Sequence, residues 1–285
     1  MLAPVQDLMS DADLAVANLE TVVTECGTPS DKAFNFRTSP QAFVALRSAG
    51  IDVVSMANNH GMDFGLEGLE DSLRYAKEAN FPIMGIGQNA DEAYRPFSTE
   101  INGQRIAIVA ATQTLDNALI KSWTATDTQP GLASAKEEQR LIQAIKQARS
   151  SHDTVIVFLH WGVEGQTCPS PNQTDLSTKL VDAGADVIVG GHAHRVQGGG
   201  FKGRSYVHYG LGNFVFNAPS PSGFGSGVLF LTIDGRDVQS ESWVPARLKD
   251  GVATKLEGSE ADTALDQWSK QRDCTDLTSK SAPSS

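Results

Sequence analysis

Apolar strand-like segments alternate with amphipathic helix-like segments along most of the chain, and this alternation is the strongest constraint on its fold. The strand-like segments are residues 14–19, 51–56, 82–86, 105–111, 154–159 and 186–189. The helix-like segments are residues 40–49, 66–79, 135–149 and 173–183. Such alternation is typical of βαβ units, in which helices cover a largely parallel sheet. The sequence therefore predicts an α/β fold.

The second half of the chain is predicted to be richer in strands. Asn102 and Gly103 form a dipeptide typical of hairpin turns, between two strand-like runs. Further strands are predicted in "SYVHYGLGNFVF" and "GVLFLTIDGRDVQSESWVPARL". Hydrophobicity falls after about Gly251, and the terminal "TSKSAPSS" has a composition typical of disorder. We therefore expect one domain over residues 1–250 and a C-terminal appendage over residues 251–285 with a disordered end.

Composition and charge limit the classes of function. The 285 residues carry a formal net charge of −11, which disfavours binding to nucleic acid or to anionic membrane surfaces. No run of about 18 apolar residues occurs, and the first residues lack the features of a signal peptide, so the chain as written is expected to be soluble. The three cysteines, Cys26, Cys168 and Cys274, lack CxxC spacing, which disfavours a zinc knuckle. One disulfide with one free thiol is a possible arrangement of the three.

Residues with nitrogen or oxygen donors follow four of the predicted strands. They are Asn18 and Glu20 after "LAVA", Asn59 and His60 after "IDVVSMA", His160 after "TVIVFL", and His192 and His194 after "ADVIVGG". Singly, each has an ordinary explanation: a solvated carboxylate, a core histidine, or an asparagine that suits a turn. Because open α/β sheets bind ligands at the carboxyl ends of their strands, the four coincidences together predict a metal site there.

In this order, "NLE", "FNFRTSP", "ANNHGMDFG", "LHWG", "GGHAHRVQ" and "YGLGNFVF" resemble motifs of a known family. The chain is similar, over about residues 13–216, to the CapA-type poly-γ-glutamate capsule synthesis proteins. These are a branch of the calcineurin-like metallophosphoesterase superfamily. The resemblance implies a four-layer α/β/β/α sandwich with two metal ions between the edges of its sheets.

Carried over residue by residue, the resemblance implies a ligand set for two divalent ions. Glu20 would bridge them, Asn59, His160 and His192 would hold one ion, and His194 would hold the other. His60 would be a catalytic residue that faces the leaving oxygen of the substrate, and Asp63 would orient it. The predicted substrate-binding residues are Asn18 and Arg195.

The mixture of nitrogen and oxygen donors suits Mn, Fe or Zn better than Ca, which prefers oxygen throughout. Two such ions polarise a phosphoryl oxygen and lower the pKa of a water, so the leading hypothesis is a metal-dependent, phosphoesterase-like hydrolase linked to capsule or envelope polymer. Two alternatives stay open: a non-catalytic envelope component that binds or anchors a polyanionic polymer, and an amide hydrolase or transferase acting on poly-γ-glutamate. The expected partners are an anionic small-molecule or polymer substrate and capsule-synthesis membrane proteins, without nucleic acid.

The start of the chain departs from the family pattern. The resemblance implies a first strand that ends in Gly-Asp, whose Asp binds the same metal as His194, but the chain begins at "MLAPVQDLMSDADL". Either the chain is truncated at its start, or one of its two metal positions is incomplete. A complete protein without this internal strand would expose unpaired backbone N–H and C=O groups and part of its core. Because such exposure is costly, truncation is the favoured explanation. A missing signal or anchor would then place the protein at the cell envelope or its extracellular face.

Overall fold

The computed structural model describes residues 6–216 and 225–282. In chain order, its strands are β1 (Val16–Asn18), β2 (Val22–Val23), β3 (Arg37–Thr38), β4 (Val53–Ser55), β5 (Ile83–Met84), β6 (Ile86–Gly87), β7 (Phe97–Ile101), β8 (Gln104–Thr112), β9 (Gly131–Leu132), β10 (Thr154–Trp161), β11 (Val187–His192), β12 (Gly199–Lys202), β13 (Ser205–His208), β14 (Gly225–Asp234), β15 (Asp237–Lys249) and β16 (Val252–Lys255).

The helices include the four that the sequence predicts. In chain order they are α1 (Gln6–Ser10), α2 (Gln41–Ser48), α3 (Gly65–Glu78), α4 (Ala90–Ala93), α5 (Ile120–Trp123), α6 (Glu138–Arg149), α7 (Pro171–Ala183) and α8 (Gly258–Lys270), with a short 3₁₀ helix at Gln271–Cys274. Within the described residues, no helix combines the length and the apolar character needed to cross a membrane.

The larger sheet has six strands in the order β12-β13-β11-β10-β8-β7. Its four inner strands pair in parallel, and its two edge strands pair antiparallel to their neighbours. Strand β10 is a nearly continuous apolar run, as expected for a strand covered on both faces. The predicted hairpin is confirmed: Asn102 and Gly103 join β7 to β8 with φ of 52° and 80°.

The smaller sheet is parallel, in the order β1-β4-β5, and faces the larger one. Between the two sheets, Val53 of β4 belongs to the same apolar cluster as Ile108 and Phe158 of the larger sheet. The next residue, Val54, faces the opposite way and packs in a second cluster with Leu69 of α3. This reversal follows from the two-residue period of side chains along a strand.

Helices cover the outer faces of both sheets. Beyond the smaller sheet lie α2 and α3, which contribute Phe43 and Leu69 to its outer cluster. Beyond the larger sheet lie α6 and α7, and their Leu141 and Leu176 pack with Leu159 of β10. The order helix, sheet, sheet, helix confirms the predicted four-layer α/β fold.

Two predicted strands need correction. The strand expected at residues 82–86 is interrupted at Gly85, where φ is 88° and a Cβ would lie 2.4 Å from the Cβ of Ala57. In "SYVHYGLGNFVF" only the first four residues form a strand, because the backbone turns at Gly212, where φ is 76°. Residues 209–216 instead form an irregular segment with isolated bridges to Val196 and Val252.

The C-terminal segment packs on the rest of the chain. Strands β14 and β15 form a long hairpin, β16 pairs with β15, and α8 contacts β15. Cys168 and Cys274 form a disulfide, which leaves Cys26 as the free cysteine. In the predicted disordered end, Thr278 donates its amide to the carbonyl of Phe201, and residues 283–285 lie outside the described residues.

Candidate metal centre

The carboxyl ends of β1, β4, β10 and β11 meet at one edge of the two sheets. Parallel pairing sets Trp161 opposite His192 on the larger sheet and Asn18 opposite Ser55 on the smaller one. The residues that follow Ser55, "MANNH", therefore lie beside Asn18 and Glu20. Because the two sheets face each other, donors from four strand ends converge across the gap between them.

All five predicted ligands belong to one cluster. The Oδ1 of Asn59 lies 2.7 Å from the Nε2 of His160, and the Nδ1 of His192 lies 3.1 Å from the same nitrogen. The Oε1 of Glu20 lies 3.5 Å from the Nε2 of His160 and 3.9 Å from the Nε2 of His194. Atoms that each bind one cation at about 2.1 Å lie roughly 3 to 3.5 Å apart, so the spacings from His160 to His192 and to Glu20 suit shared coordination, and the other two are within 0.4 Å of that range.

Burial keeps two of the histidines neutral. Burial lowers the pKa of His192 to about 4, with further lowering from His194 and His60. Burial also holds the pKa of His160 well below its ordinary value, and the neighbouring His192 adds to the effect. Neutral imidazoles offer a lone pair without competition from a proton, as metal binding requires.

Glu20 supplies the negative charge of the cluster. Burial raises the pKa of its carboxyl, and the neighbouring His194 partly opposes this effect. Its Oε1 is buried without a hydrogen-bond partner, whereas its Oε2 accepts from the Nδ2 of Asn18 at 3.2 Å. A buried carboxylate oxygen that lacks a donor is costly, and a cation at this point would remove the cost. The donor set and its unpaired oxygen therefore fit a divalent metal.

The backbone at "GGHAH" adopts conformations that are rare for residues with a Cβ. The φ of His192 is 96° and that of His194 is 52°. Each such residue costs of order 1 kcal/mol or more, and such residues concentrate at functional sites. At Gly190, a Cβ would lie 2.0 Å from the Nε1 of Trp161, so the strand before the histidines requires glycine.

His60 and Asp63 form a pair beside the candidate ligands. The Nδ1 of His60 lies 2.6 Å from the Oδ2 of Asp63, which also accepts from the amide of Phe36. The Oδ1 of Asp63 accepts from the Nζ of Lys32 at 2.8 Å, and the Asp63 side chain is fully buried. With Nδ1 held by Asp63, Nε2 is the ring nitrogen of His60 that is left for a ligand.

The two predicted substrate-binding residues make contacts within the protein. Asn18 donates to Glu20, and its Oδ1 accepts from the Nδ2 of Asn58 at 3.0 Å. The Nε of Arg195 donates to the carbonyl of Gly165 at 3.2 Å, on the loop after β10. Both residues border the cluster, and a role in substrate binding stays a prediction for each.

Sequence reasoning missed three residues at this site: Lys32, Asn213 and Glu164. Lys32 lies in the loop before "FNFRTSP", where no periodicity marks it. The Oδ1 of Asn213 lies 2.7 Å from the Nδ1 of His194, which directs the Nε2 of that ring towards Glu20. Glu164 follows His160 by four residues, and a carboxylate in "HWGVEG" was a signal available in the sequence.

Comparison with a solved structure supports the fold. A hypothetical protein from Thermus thermophilus superposes with a TM-score of 0.54 at 15% sequence identity. The superposition covers 87% of this chain and 93% of that protein. At this level of identity, the likeness concerns the fold alone.

Sequence comparison identifies the family. The chain is 35% identical over 191 residues to the capsule biosynthesis protein CapA of Bacillus anthracis and 32% identical over 216 residues to the PGA biosynthesis protein CapA of Bacillus subtilis. These matches cover 66% and 75% of this chain but only 46% and 56% of the two relatives, so the chain spans about half their length. The profile of the family described as "Bacterial capsule synthesis protein PGA_cap" matches residues 1–218. The chain therefore belongs to the PGA_cap family of bacterial capsule synthesis proteins.

Proposed function

We propose that this chain is a metal-dependent, phosphoesterase-like hydrolase that acts in the synthesis of capsule or cell-envelope poly-γ-glutamate. The observation that carries the proposal is the convergence of Glu20, Asn59, His160 and His192 from four strand ends. A purely structural polar cluster would have its donors and acceptors matched. Here the Oε1 of Glu20 is buried with no hydrogen-bond partner.

The residues of the cluster would hold divalent cations of the Mn, Fe or Zn class. When bound, such ions polarise a phosphoryl oxygen and lower the pKa of a water molecule. Asn59, His160 and His192 are neutral donors, so the site keeps positive potential despite the net charge of −11 on the chain. That potential favours an anionic substrate.

His60 would handle the proton of the leaving group. Asp63 fixes the ring by accepting a hydrogen bond from the Nδ1 of His60. Lys32 and the amide of Phe36 in turn donate hydrogen bonds to Asp63. A carboxylate bound in this way stabilises the imidazolium form and one ring orientation. His60 is therefore positioned to donate a proton from Nε2 to the departing oxygen.

Two observations support an envelope setting. The relatives described above are named for the biosynthesis of capsule and of PGA, and we extend that role to this chain. The disulfide between Cys168 and Cys274 is typical of proteins from oxidising compartments. We propose that the substrate is a polyanionic polymer or its anionic precursor, and that membrane proteins of capsule synthesis are partners.

The test separates chemistry from binding through His60→Asn. Turnover of bis(p-nitrophenyl) phosphate by the manganese-loaded protein should fall by about 10² to 10⁴, because the general acid is lost. Metal content, measured by elemental analysis, should stay the same. His152→Asn is the matched control, because His152 lies in a turn that follows α6.

The outcomes distinguish the alternatives. If wild-type protein binds metal and poly-γ-glutamate but releases no product from either substrate, the chain is an envelope component that binds polymer. If it shortens poly-γ-glutamate but leaves the phosphodiester intact, it is an amide hydrolase. Loss of metal from His60→Asn would make His60 a ligand and would contradict the assignment.

A further inference from the structure

Glu164 lies on the loop between β10 and α7, outside the ligand set derived above. One oxygen of its carboxylate and one nitrogen each of His192 and His194 all lie within 4.8 Å of one another. A second group with the same property consists of Glu20, His160 and His192. The two groups share His192, so two cation positions would lie side by side.

A neutral imidazole has one lone pair, so His192 can serve only one of two cations. Its Nδ1 lies 3.1 Å from the Nε2 of His160, which assigns it to the position held by His160 and Asn59. His194 and Glu164 then remain for the second position. The Oε1 of Glu20 lies 3.5 Å from His160 and 3.9 Å from His194, between the two positions.

We propose that Glu164 is the carboxylate ligand of a second divalent cation, together with His194 and a bridging Glu20. This inference rests on the metal-dependent function proposed above and assigns a residue that its ligand set lacks. The unpaired, buried Oε1 of Glu20 independently indicates a cation between the two histidines. Two carboxylates and one imidazole form a harder donor set than that of the first position, and Mn²⁺ suits it.

The loop that carries Glu164 is tied to the segment that carries the histidines. The amide of Gly165 donates to the carbonyl of Ala193 at 2.8 Å, and the Nε of Arg195 donates to the carbonyl of Gly165. The Nε2 of Gln197 donates to the carbonyls of Gln166 and Cys168 at 3.0 and 3.1 Å. These bonds hold the loop that carries Glu164 beside the segment of His192 and His194, and the Glu164 side chain itself is exposed.

At the second cation position, His194 has a hydrogen-bond partner of its own that orients its ring. Asn213 Oδ1 lies 2.7 Å from Nδ1 of His194, so that nitrogen carries the proton and Nε2 carries the lone pair. Metal-binding histidines usually donate their second nitrogen to an oxygen in this way. Asn213 comes from the irregular segment after β13, which the sequence wrongly suggested to be a strand.

The experiment measures binding of Mn²⁺ alone to the full chain by isothermal titration calorimetry and equilibrium dialysis. Wild-type protein should bind two ions, and Glu164→Gln should lose at least about 100-fold in affinity for the weaker ion while the tighter one changes little, since loss of even an outer partner costs 10- to 100-fold. Glu100→Gln, at an exposed position in β7, is the matched control and should bind as the wild type does.

Electron paramagnetic resonance gives a second readout. Two adjacent Mn²⁺ ions produce an exchange-coupled spectrum, and Glu164→Gln should convert it to that of an isolated ion. If wild-type protein binds one ion and Glu164→Gln is unchanged, the second position is refuted while the proposed function stands. If Glu164→Gln weakens both ions equally with an unaltered melting curve, Glu164 belongs to the first position and the assignment is wrong. If wild-type protein binds no ion, both proposals fail.

Discussion

Two regions of the molecule bury histidines, and they differ in what surrounds the ring nitrogens. His192 is 8% exposed and His208 is fully buried, and burial lowers the pKa of the two rings to about 4 and about 3. His208 stacks on Trp243 at 5.3 Å and 18°, and its Nε2 accepts from the Nε1 of Trp268 at 3.1 Å. His192 instead faces the Nε2 of His160 at 3.1 Å.

The comparison shows which property indicates a ligand. Burial and a lowered pKa occur in both regions, and each region contains a ring nitrogen without a hydrogen-bond partner, in His160 and in His208. Only the strand ends bring several acceptor atoms towards one point from different elements. In the aromatic stack, the rings of Trp243 and Trp268 lie nearly parallel to that of His208, and its Nε2 already accepts a hydrogen bond from Trp268. Convergence, rather than burial, therefore marks the candidate metal centre.

The largest expected difference between the two regions is in metal affinity. His192→Ala removes a proposed ligand and should weaken Mn²⁺ binding at the first position by on the order of 10³-fold, more than the 10- to 100-fold cost of losing an outer partner. His208→Phe keeps the ring shape within the aromatic stack and should bind Mn²⁺ as the wild type does. Calorimetric titration of both variants measures this. Equal affinities for the two variants would refute the comparison.

Most of the fold could be predicted from the sequence, because it depends on the spacing of apolar residues. The run from Thr154 to Trp161 predicts a strand covered on both faces, and Asn102-Gly103 predicts a hairpin, as observed. The exceptions are glycines whose constraint comes from tertiary contacts. Gly85 interrupts its strand against Ala57, a residue that is distant in sequence, so periodicity could not reveal the break.

The predictable residues of the candidate site lie at the end of a strand or in a motif that follows one. His160 and His192 occupy ends of strands, so the sheet rule places them together. Lys32, Asn213 and Glu164 lie on irregular segments, whose paths depend on hydrogen bonds and on the disulfide. No local pattern in the sequence encodes those paths. Sequence reasoning therefore found candidate residues at the ends of strands and in the motifs that follow them, and missed Lys32, Asn213 and Glu164.

A second prediction concerns the disulfide, because it joins the two regions. Cys168 ends the loop that carries Glu164, and Cys274 follows the helix whose Trp268 covers His208; they are 106 residues apart in sequence. Removing a crosslink over so long a loop should lower the free energy of unfolding by about 2 to 4 kcal/mol, as urea denaturation of a Cys168→Ser, Cys274→Ser variant would measure.

The free cysteine provides the control for that experiment. Cys26 is exposed and unpaired, so Cys26→Ser should unfold as the wild type does. The double variant should also lose near-ultraviolet circular dichroism from the tryptophan stack and bind the second Mn²⁺ more weakly. Unchanged signals in both regions would mean that the disulfide does not couple them.

A third prediction uses the pH dependence of stability. The pKa of His208 falls from 6.5 to about 3 on folding, so between those values the unfolded chain binds a proton that the folded chain does not. The free energy of unfolding should therefore decrease as pH falls below 6.5. At pH 5 the loss from one such histidine is on the order of 2 kcal/mol, and His208→Phe should lack it.

Added metal separates the two contributions to this pH dependence, that of the candidate metal centre and that of His208 in the aromatic stack. Folding also shifts the pKa of His192 down and that of Glu20 up, so their effects on stability as pH falls have opposite signs, but a bound cation would hold both in their deprotonated forms. Urea denaturation at pH 7 and pH 5 should thus give the same difference between wild type and His208→Phe with and without Mn²⁺. A wild-type curve that is flat over this range, and equal to that of His208→Phe, would contradict the burial of a neutral His208.

The smallest expected effect concerns Asn18, which borders the site and contacts Glu20. Its Nδ2 donates to the Oε2 of Glu20, and its Oδ1 accepts from Asn58, whose own Oδ1 accepts the amide of His60. Asn18→Ala breaks this chain of hydrogen bonds and should lower Mn²⁺ affinity by about 10-fold, the lower end of the cost of an outer partner. If Asn18 binds substrate instead, KM should rise while Mn²⁺ affinity is unchanged. Measuring both quantities on one variant decides whether Asn18 orients a ligand or contacts the substrate.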